Sequence, residues 1–143
     1  MPKTQVCIDA SVALKLVVDE SASEAARALW RTWAVEGCQP IAPALFVFET
    51  VSALWRMVVR GDLDEESARA ARDRLLAMPI RLPAPAGLLQ RAWDLARRYE
   101  RPQVYDSFYL ALADMLDVDL WTADRRFFNA LRGEEPRVRM LEA

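Results

Sequence analysis

Four acidic side chains stand at positions from which carboxylates could act together. Asp9 and Asp124 come after two predicted strands, and Asp106 lies near the start of a predicted helix. In a parallel α/β sheet, ligands gather beyond the C-terminal ends of the strands, so we expect these three acids at one rim. Glu49 lies within the most apolar predicted helix, where a lone carboxylate must be paired, solvated or bound to a ligand.

Each acid also has a local explanation. The three aspartates could cap helices or lie in a first helical turn, which stabilises a helix by about 1 kcal/mol each. Glu49 could pair with an arginine such as Arg27 or Arg125. One divalent cation would account for all four positions, because clustered carboxylates repel one another unless a positive charge compensates them.

A site made only of oxygen ligands selects hard cations, Mg²⁺ or Mn²⁺. Such a site suits phosphodiester hydrolysis. One cation can activate a water molecule, and a second, about 3.5–4 Å away, can neutralise charge on the leaving oxygen.

The composition excludes most other chemistry. The chain contains no histidine, which removes Ser-His-Asp and Cys-His catalysis and His-ligated zinc. Its four glycines are far apart, so there is no phosphate-binding loop or dinucleotide fingerprint. Two cysteines, Cys7 and Cys38, are too few for a disulfide framework and lie in apolar stretches, which indicates free thiols in a reducing compartment.

The 143 residues are 53% apolar and 28% charged, which fits one globular domain over residues 1–143. The formal net charge is −2, which argues against a bulk polyanion binder and leaves only a local basic face for contact with an anionic partner. We find no signal peptide and no apolar stretch of about 20 residues, and therefore expect a cytoplasmic chain with no membrane contact.

Short apolar segments alternate with amphipathic ones, which predicts an α/β fold with a mainly parallel sheet. Strands are predicted at 6–8, 39–42, 80–83, 118–121 and 138–141. Helices are predicted at 11–18, from the 21–24 segment to about 36, and at 44–59, 64–77, 88–98, 104–116 and 124–131.

Local signals give finer predictions for the helices. Ser21 and Glu24 have the spacing of a capping box, and Asp64 is placed to cap the helix that follows it. Val35 and Leu76 are expected to face inward.

Arginine outnumbers lysine 17 to 2, and arginine suits bidentate phosphate contacts. Arg125 and Arg126 follow Asp124 and are candidates for contact with the backbone of a phosphodiester substrate, or else form a solvated helix face. Arg97, Arg98 and Arg101 are assigned instead to a favourable effect at a helix C-terminus. The five tryptophans are expected mostly in the core or at a subunit interface, although tryptophan can stack on bases.

Four stretches carry a family resemblance by their order and separation. They are VCIDAS at 6–11, FET at 48–50, YDSFYLALA at 105–113 and LWTADRRF at 120–127. With these stretches the chain resembles PIN-domain ribonucleases, and most closely the VapC-type toxins of toxin–antitoxin pairs. The resemblance covers essentially the whole chain.

The resemblance implies a three-layer α/β/α sandwich with a four- or five-stranded sheet. It also implies four acids around one or two Mg²⁺ or Mn²⁺ ions: Asp9, Glu49, Asp106 and Asp124. Asp9 and Asp106 would be the firmest ligands, whereas the other two would ligate a second ion, act through water or orient the attacking water. Ser11 and Thr122 match polar positions that support the acids by hydrogen bonds; their local alternative is capping of the following helix.

By the same resemblance, we expect a metal-dependent endoribonuclease that is silenced by a cognate antitoxin and forms a homodimer. The apolar faces of the first three helices are candidates for these contacts. Two alternatives stay open within the family: a nuclease of RNA processing outside toxin–antitoxin biology, and a PIN fold that has lost catalysis and only binds.

Two other classes of protein with acidic residues at strand ends fit this sequence less well. A flavodoxin-like phosphoacceptor domain would need a paired acid after the first strand and a lysine after the last one. Here Ile8 precedes Asp9, and no lysine follows Lys15. A phosphatase with an Asp-x-Asp nucleophile would need a second acid where Ser11 stands.

Overall fold

The computed structural model describes residues 4–142, so residues 1–3 and 143 of the predicted domain lie outside the described part. The described residues form four strands: β1 (Gln5–Ile8), β2 (Gln39–Ile41), β3 (Leu120–Thr122) and β4 (Val138–Met140). They also form seven helices: α1 (Ala10–Val17), α2 (Ser23–Glu36), α3 (Leu45–Arg60), α4 (Glu65–Leu76), α5 (Leu88–Arg98), α6 (Tyr105–Leu116) and α7 (Arg125–Ala130).

All four strands are parallel, in the order β2-β1-β3-β4. The expected mainly parallel α/β sheet is therefore confirmed, with four strands. The register places Cys7 of β1 beside both Ile41 of β2 and Leu120 of β3.

The strand expected at 80–83 is wrong. This segment contributes a single bridge, between Arg81 and Ile41. Pro79 and Pro83 bracket it, and because proline has no N–H to donate, the ladder cannot extend beyond one residue pair.

Helices flank the sheet and give the expected three layers. In one group α1 contacts α2, α3 and α4, and α3 contacts α4. A second group comprises α5 and α6, which contact each other. Helix α6 packs on β1 and β3, and its residues 109–113 are completely buried. No helix among residues 4–142 is long and apolar enough to cross a membrane.

The strand order places a crevice beside β1. From β1 the chain moves to β2 on one side, and later returns to β3 on the other. At such a switch point the connections diverge and leave space beyond the strand ends. Asp9 directly follows β1, and its backbone N–H donates to the carbonyl of Trp121 in β3 at 3.0 Å. The fold therefore holds Asp9 at the mouth of this crevice.

Two helix starts differ in how well the sequence predicts them. Asp64 caps α4, because its Oδ1 accepts from the N–H of Ser67 at 2.8 Å. The capping box at Ser21 and Glu24 is wrong: α2 begins after Ala22, which has a left-handed backbone (φ 69°). The hydroxyl of Ser23 tightens this turn instead, by accepting from the N–H of Glu20 at 3.0 Å.

The inward orientation expected for Val35 and Leu76 is also wrong, since they are 88% and 53% exposed. In α2, Trp33 lies on the buried side. Val35 comes two positions later and therefore points away from that side. In α4 the buried stripe ends at Leu75, so its neighbour turns outward.

Candidate active site

A cavity of about 540 Å³ opens where β1 ends, and all four sequence-predicted acids are among the residues that line it. Helices α1, α3 and α6 and the segment before α7 contribute its walls. Its polar lining is formed by Asp9, Ser11, Glu49, Ser52, Arg56, Gln103, Asp106 and Asp124. Acids far apart in the sequence thus share one opening.

Asp9 is the most buried of the acids, with 7% of its surface exposed. Its Oδ2 accepts hydrogen bonds from the hydroxyls of Ser11 at 2.8 Å and Thr122 at 2.7 Å. Burial raises the pKa of Asp9 to about 7, although these two hydrogen bonds lower it; the charges of Asp106 and Glu49 raise it further. Both hydroxyls hold the same oxygen, which leaves Oδ1 for a ligand.

The two hydroxyls are themselves fixed by the backbone. The N–H of Ala123 donates to Oγ of Ser11 at 2.9 Å, and the N–H of Asp124 donates to Oγ1 of Thr122 at 3.0 Å. Each hydroxyl proton is therefore directed to Asp9. Ser11 and Thr122 thus connect Asp9 to the segment that carries Asp124.

Glu49 projects from α3 and is half-buried. The phenol of Tyr109 on α6, which is fully buried, donates to its Oε1 at 2.6 Å. Burial raises the pKa of Glu49, the hydrogen bond from Tyr109 lowers it, the charge of Asp106 raises it and that of Arg56 lowers it. The suggested partners of Glu49 are paired elsewhere: Arg27 with Asp19 and Arg125 with Glu142.

Asp106 lies in the first turn of α6 and is also half-buried. Its Oδ2 accepts from a terminal guanidinium nitrogen of Arg101 at 3.2 Å. Burial raises the pKa of Asp106, the hydrogen bond from Arg101 lowers it, and the charge of Asp124 raises it. Asp106 therefore already interacts with one cationic group.

The local helix explanation, a cap or a first-turn position, holds for two aspartates: Asp106 lies in the first turn of α6 and Asp124 caps α7. Oδ1 of Asp124 accepts from the N–H of Phe127 at 3.1 Å and caps α7, while Asp124 also lines the cavity. Asp9 occupies the N-cap position of α1 but makes no side-chain cap hydrogen bond. Its carboxylate is thus held by the site and not by its helix.

The cationic residues differ from the sequence-based assignment. Arg125 forms an exposed ion pair with Glu142, and neither it nor Arg126 lines the cavity, so their contact with substrate stays a prediction. Arg56 does line it. Arg101 lies beyond the end of α5 and reaches Asp106, so its assignment to a helix C-terminus effect is wrong.

The sequence analysis did not assign Arg56, Tyr109 or Arg101 to the site, although the first two had a signal in the sequence. Arg56 lies seven residues after Glu49, which places both on one face of α3, and Tyr109 lies three residues after Asp106 on α6. Arg101 had no such signal, because its contact depends on the path of a loop.

The donor set fits a hard divalent cation. All the candidate ligands are carboxylate oxygens, and burial and like charge act together to raise the pKa of three of them. A divalent cation would offset this repulsion. Among residues 4–142, however, no three acidic or cysteine side chains converge closely enough to form a finished cation site. The acids line the cavity without yet meeting at one point.

Comparison with known proteins identifies relatives with this architecture. The PIN domain family profile matches residues 6–133. Ribonuclease VapC1 of Mycobacterium tuberculosis is 36% identical over 111 residues, which cover 77% of this chain and 81% of VapC1.

Two solved structures share the fold. A toxin–antitoxin complex from Klebsiella pneumoniae superposes with a TM-score of 0.69 at 15% identity, covering 96% of this chain and 99% of that one. VapC20 of Mycobacterium tuberculosis, described as a toxin that cleaves the sarcin–ricin loop, gives a TM-score of 0.65 at 22% identity, covering 87% and 94%.

Proposed function

The chain belongs to the PIN domain family, and from that premise we propose that it is a metal-dependent endoribonuclease, the toxin of a type II toxin–antitoxin pair. One observation carries the proposal. Four acids from separate parts of the chain line one cavity, and the most buried of them, Asp9, is held there by Ser11 and Thr122. The ribonuclease relative, 36% identical, supports RNA as the substrate.

Mg²⁺ or Mn²⁺ would be held by Asp9 and Asp106, with Glu49 and Asp124 as further or water-mediated ligands. A bound cation of this kind supplies positive charge that favours ionisation of water and stabilises the phosphorane-like transition state. Ser11 and Thr122 fix the orientation of the Asp9 carboxylate, and would thereby support it as a cation ligand, as such hydrogen bonds commonly do.

In the proposed hydrolysis, the oxygen of water bonds to phosphorus and the P–O3′ bond breaks. The products are a 5′-phosphate and a 3′-hydroxyl. Glu49 would accept one proton of the water at Oε2, since its Oε1 is already held by Tyr109. The leaving O3′ takes a proton from solvent, so no covalent enzyme intermediate forms.

Other residues of the cavity wall are suited to holding RNA. Arg56 offers a guanidinium for a phosphate group, and Gln103 offers an amide. Phe48 and Tyr105 are 72% and 48% exposed at the same opening, where unpaired bases can stack on them. Because the net charge is −2, this local combination would have to supply the affinity.

We also propose two protein partners, a cognate antitoxin and a second copy of this chain. On α3, Trp55 and Val59 are 58% and 68% exposed and follow Phe48 along one face. Exposed apolar side chains grouped in this way are typical of interaction surfaces. The Klebsiella neighbour was solved as a toxin–antitoxin complex. Action on cellular RNA would place the chain in the cytoplasm.

The decisive experiment is RNA cleavage by chain purified free of its neighbouring gene product. Wild type is assayed with Mg²⁺ or Mn²⁺ and with EDTA, beside Asp9→Asn, which keeps the shape of the side chain. We expect cleavage that needs the cation, is lost in the variant and leaves 5′-phosphate ends. Cleavage by Asp9→Asn, or a 2′,3′-cyclic phosphate product, would contradict the mechanism.

The same experiment separates the alternatives within the family. RNA binding without cleavage on a broad panel of RNAs would favour a PIN fold used only for binding. A cation-dependent nuclease whose gene has no small DNA-binding protein encoded beside it would favour a role in RNA processing.

A further inference from the structure

Arg101 is a cationic group in contact with Asp106, one of the acids that line the cavity. It follows α5, and its backbone N–H donates to the carbonyl of Ala96 at 2.9 Å, which ties the residue to the end of that helix. Its side chain is 18% exposed and passes within 5.9 Å of the ring of the buried Phe127. The guanidinium is thereby confined next to Asp106.

The pairing between Arg101 and Asp106 is incomplete. One terminal nitrogen meets Oδ2 at 3.2 Å, a single contact and not the bidentate arrangement that makes Arg–carboxylate pairs strong. The Nε of Arg101 is buried and has no hydrogen-bond partner among the described residues. A buried donor without a partner costs free energy, which offsets part of what the contact with Asp106 contributes to stability.

Asp106 is at the same time a cavity-lining acid with other acids close by. Its charge interacts with those of Asp9, Glu49 and Asp124. In the geometry described here, no three of these acids meet at one point among residues 4–142, and Asp106 is engaged with Arg101. One carboxylate is thus shared between two possible cationic partners.

We propose that Arg101 is an exchangeable counter-ion for Asp106, which competes with the divalent cation for this carboxylate. The inference rests on the proposed function, because it concerns the same cation site. In the cation-free protein Arg101 stabilises the acidic cavity. When a cation engages Asp106, the guanidinium loses its partner, so Arg101 sets the cation concentration at which the site fills.

The chain offers a matched control in Arg98. This arginine also contacts a carboxylate at 3.2 Å, that of Glu134, and also lies over an aromatic ring, that of Tyr99 at 5.1 Å. The carboxylate that it contacts does not line the cavity, whereas Asp106, the partner of Arg101, does. Arg101→Met and Arg98→Met remove the same charge, from a side chain that is 18% exposed and from one that is 53% exposed. Arg101→Lys keeps the charge.

The test is Mn²⁺ affinity, measured by isothermal titration calorimetry on RNA-free protein. We expect Arg101→Met to bind Mn²⁺ about tenfold more tightly than wild type, since a nearby positive charge has been removed. Arg98→Met and Arg101→Lys should bind as wild type does. A merely structural defect would weaken binding, so the direction of the change separates the two roles.

Thermal unfolding of the same proteins adds the reciprocal measurement. Without a cation, Arg101→Met should be less stable than wild type, because Asp106 has lost its partner. Saturating Mn²⁺ should narrow the difference in stability between Arg101→Met and wild type. The difference in stability between Arg98→Met and wild type should stay constant.

The outcomes are distinguishable. Unchanged or weaker Mn²⁺ binding by Arg101→Met, with wild type binding normally, overturns the counter-ion role and leaves the proposed nuclease intact. If Arg101→Met does not fold, Arg101→Gln is measured in its place with the same expectation. Failure of wild type itself to bind Mn²⁺ overturns the proposed metal-dependent function together with this inference.

Discussion

The phenol of Tyr109 donates a 2.6 Å hydrogen bond to Oε1 of Glu49 and thereby joins α6 to α3 across the cavity wall. These helices belong to the two separate helical groups that flank the sheet. Asp106 lies one turn before Tyr109 on α6, so this contact also relates the position of one acid to that of another. We regard Tyr109 as a positioning residue for Glu49.

Tyr109→Phe should lower kcat about tenfold with little change in KM, because Glu49 keeps its charge but loses the donor that orients it. The matched control is Tyr99→Phe, whose hydroxyl also donates to a carboxylate, that of Glu135, away from the cavity. Steady-state cleavage kinetics on one RNA check both variants. Equal losses in the two variants would attribute the effect to stability and not to Glu49.

Asp9→Asn should stabilise the cation-free protein at high pH. Burial raises the pKa of Asp9 to about 7 from its ordinary 3.8, so the folded chain holds a proton that the unfolded chain releases between these values. Stability contributed by Asp9 is therefore present below about pH 4 and is lost as pH rises to 7. In EDTA at pH 8, we expect the variant to gain on the order of 1–3 kcal/mol.

The measurement for Asp9 is thermal unfolding in EDTA from pH 5 to pH 8, with the exposed Asp19→Asn as control. The advantage of Asp9→Asn should shrink toward pH 5, and saturating Mg²⁺ should stabilise wild type more than the variant. If Asp9→Asn is less stable than wild type at pH 8, the ionised Asp9 carboxylate does not destabilise the fold.

Thr122→Val and Ser11→Ala should each weaken cation binding about 10–100-fold, because each removes one of the two donors to Oδ2 of Asp9. Both donors serve the same oxygen, so the double variant should lose less than the sum of the single losses. Calorimetric Mn²⁺ titrations test this, with Thr50→Val as a buried control whose hydroxyl bonds only within α3. Strict additivity would mean that the two hydroxyls act independently.

Trp55→Glu should weaken binding to the neighbouring gene product at least tenfold while leaving RNA cleavage by the isolated chain unchanged. The side chain is 58% exposed on the apolar face of α3, and a carboxylate there would be buried unpaired by a partner. Trp93→Glu on α5, where Trp93 is 61% exposed, is the control. Light scattering on the purified chain measures self-association in the same samples, and undiminished partner binding by Trp55→Glu would move the interface elsewhere.

The sequence predicts well what depends on strand ends and helix faces. Asp9 and Asp124 follow strands, and parallel strands bring their ends to one edge, so their place at the same cavity follows from element order alone. The helix bounds of α5 are predicted to the residue. The failed strand at 80–83 shows the limit, because its apolar pattern is right but the prolines around it prevent a ladder.

The contacts that refine the site depend on tertiary geometry, which local patterns do not contain. Tyr109 meets Glu49 because two helices approach each other at a particular distance. Arg101 reaches Asp106 because the loop after α5 turns at Glu100, which has a left-handed backbone (φ 52°). In the sequence, Arg101 is indistinguishable from the neighbouring Arg97 and Arg98.

The order of the strands determines when the site can form during translation. β3 must insert beside β1 before Thr122 can hold Asp9 and before Asp124 can join the cavity, yet it is translated more than 100 residues after β1. Every shorter nascent chain therefore lacks a complete set of acids. For most of the elongation time, the nascent chain on a ribosome therefore carries an incomplete site. The finished cavity forms only as the last part of the sheet emerges.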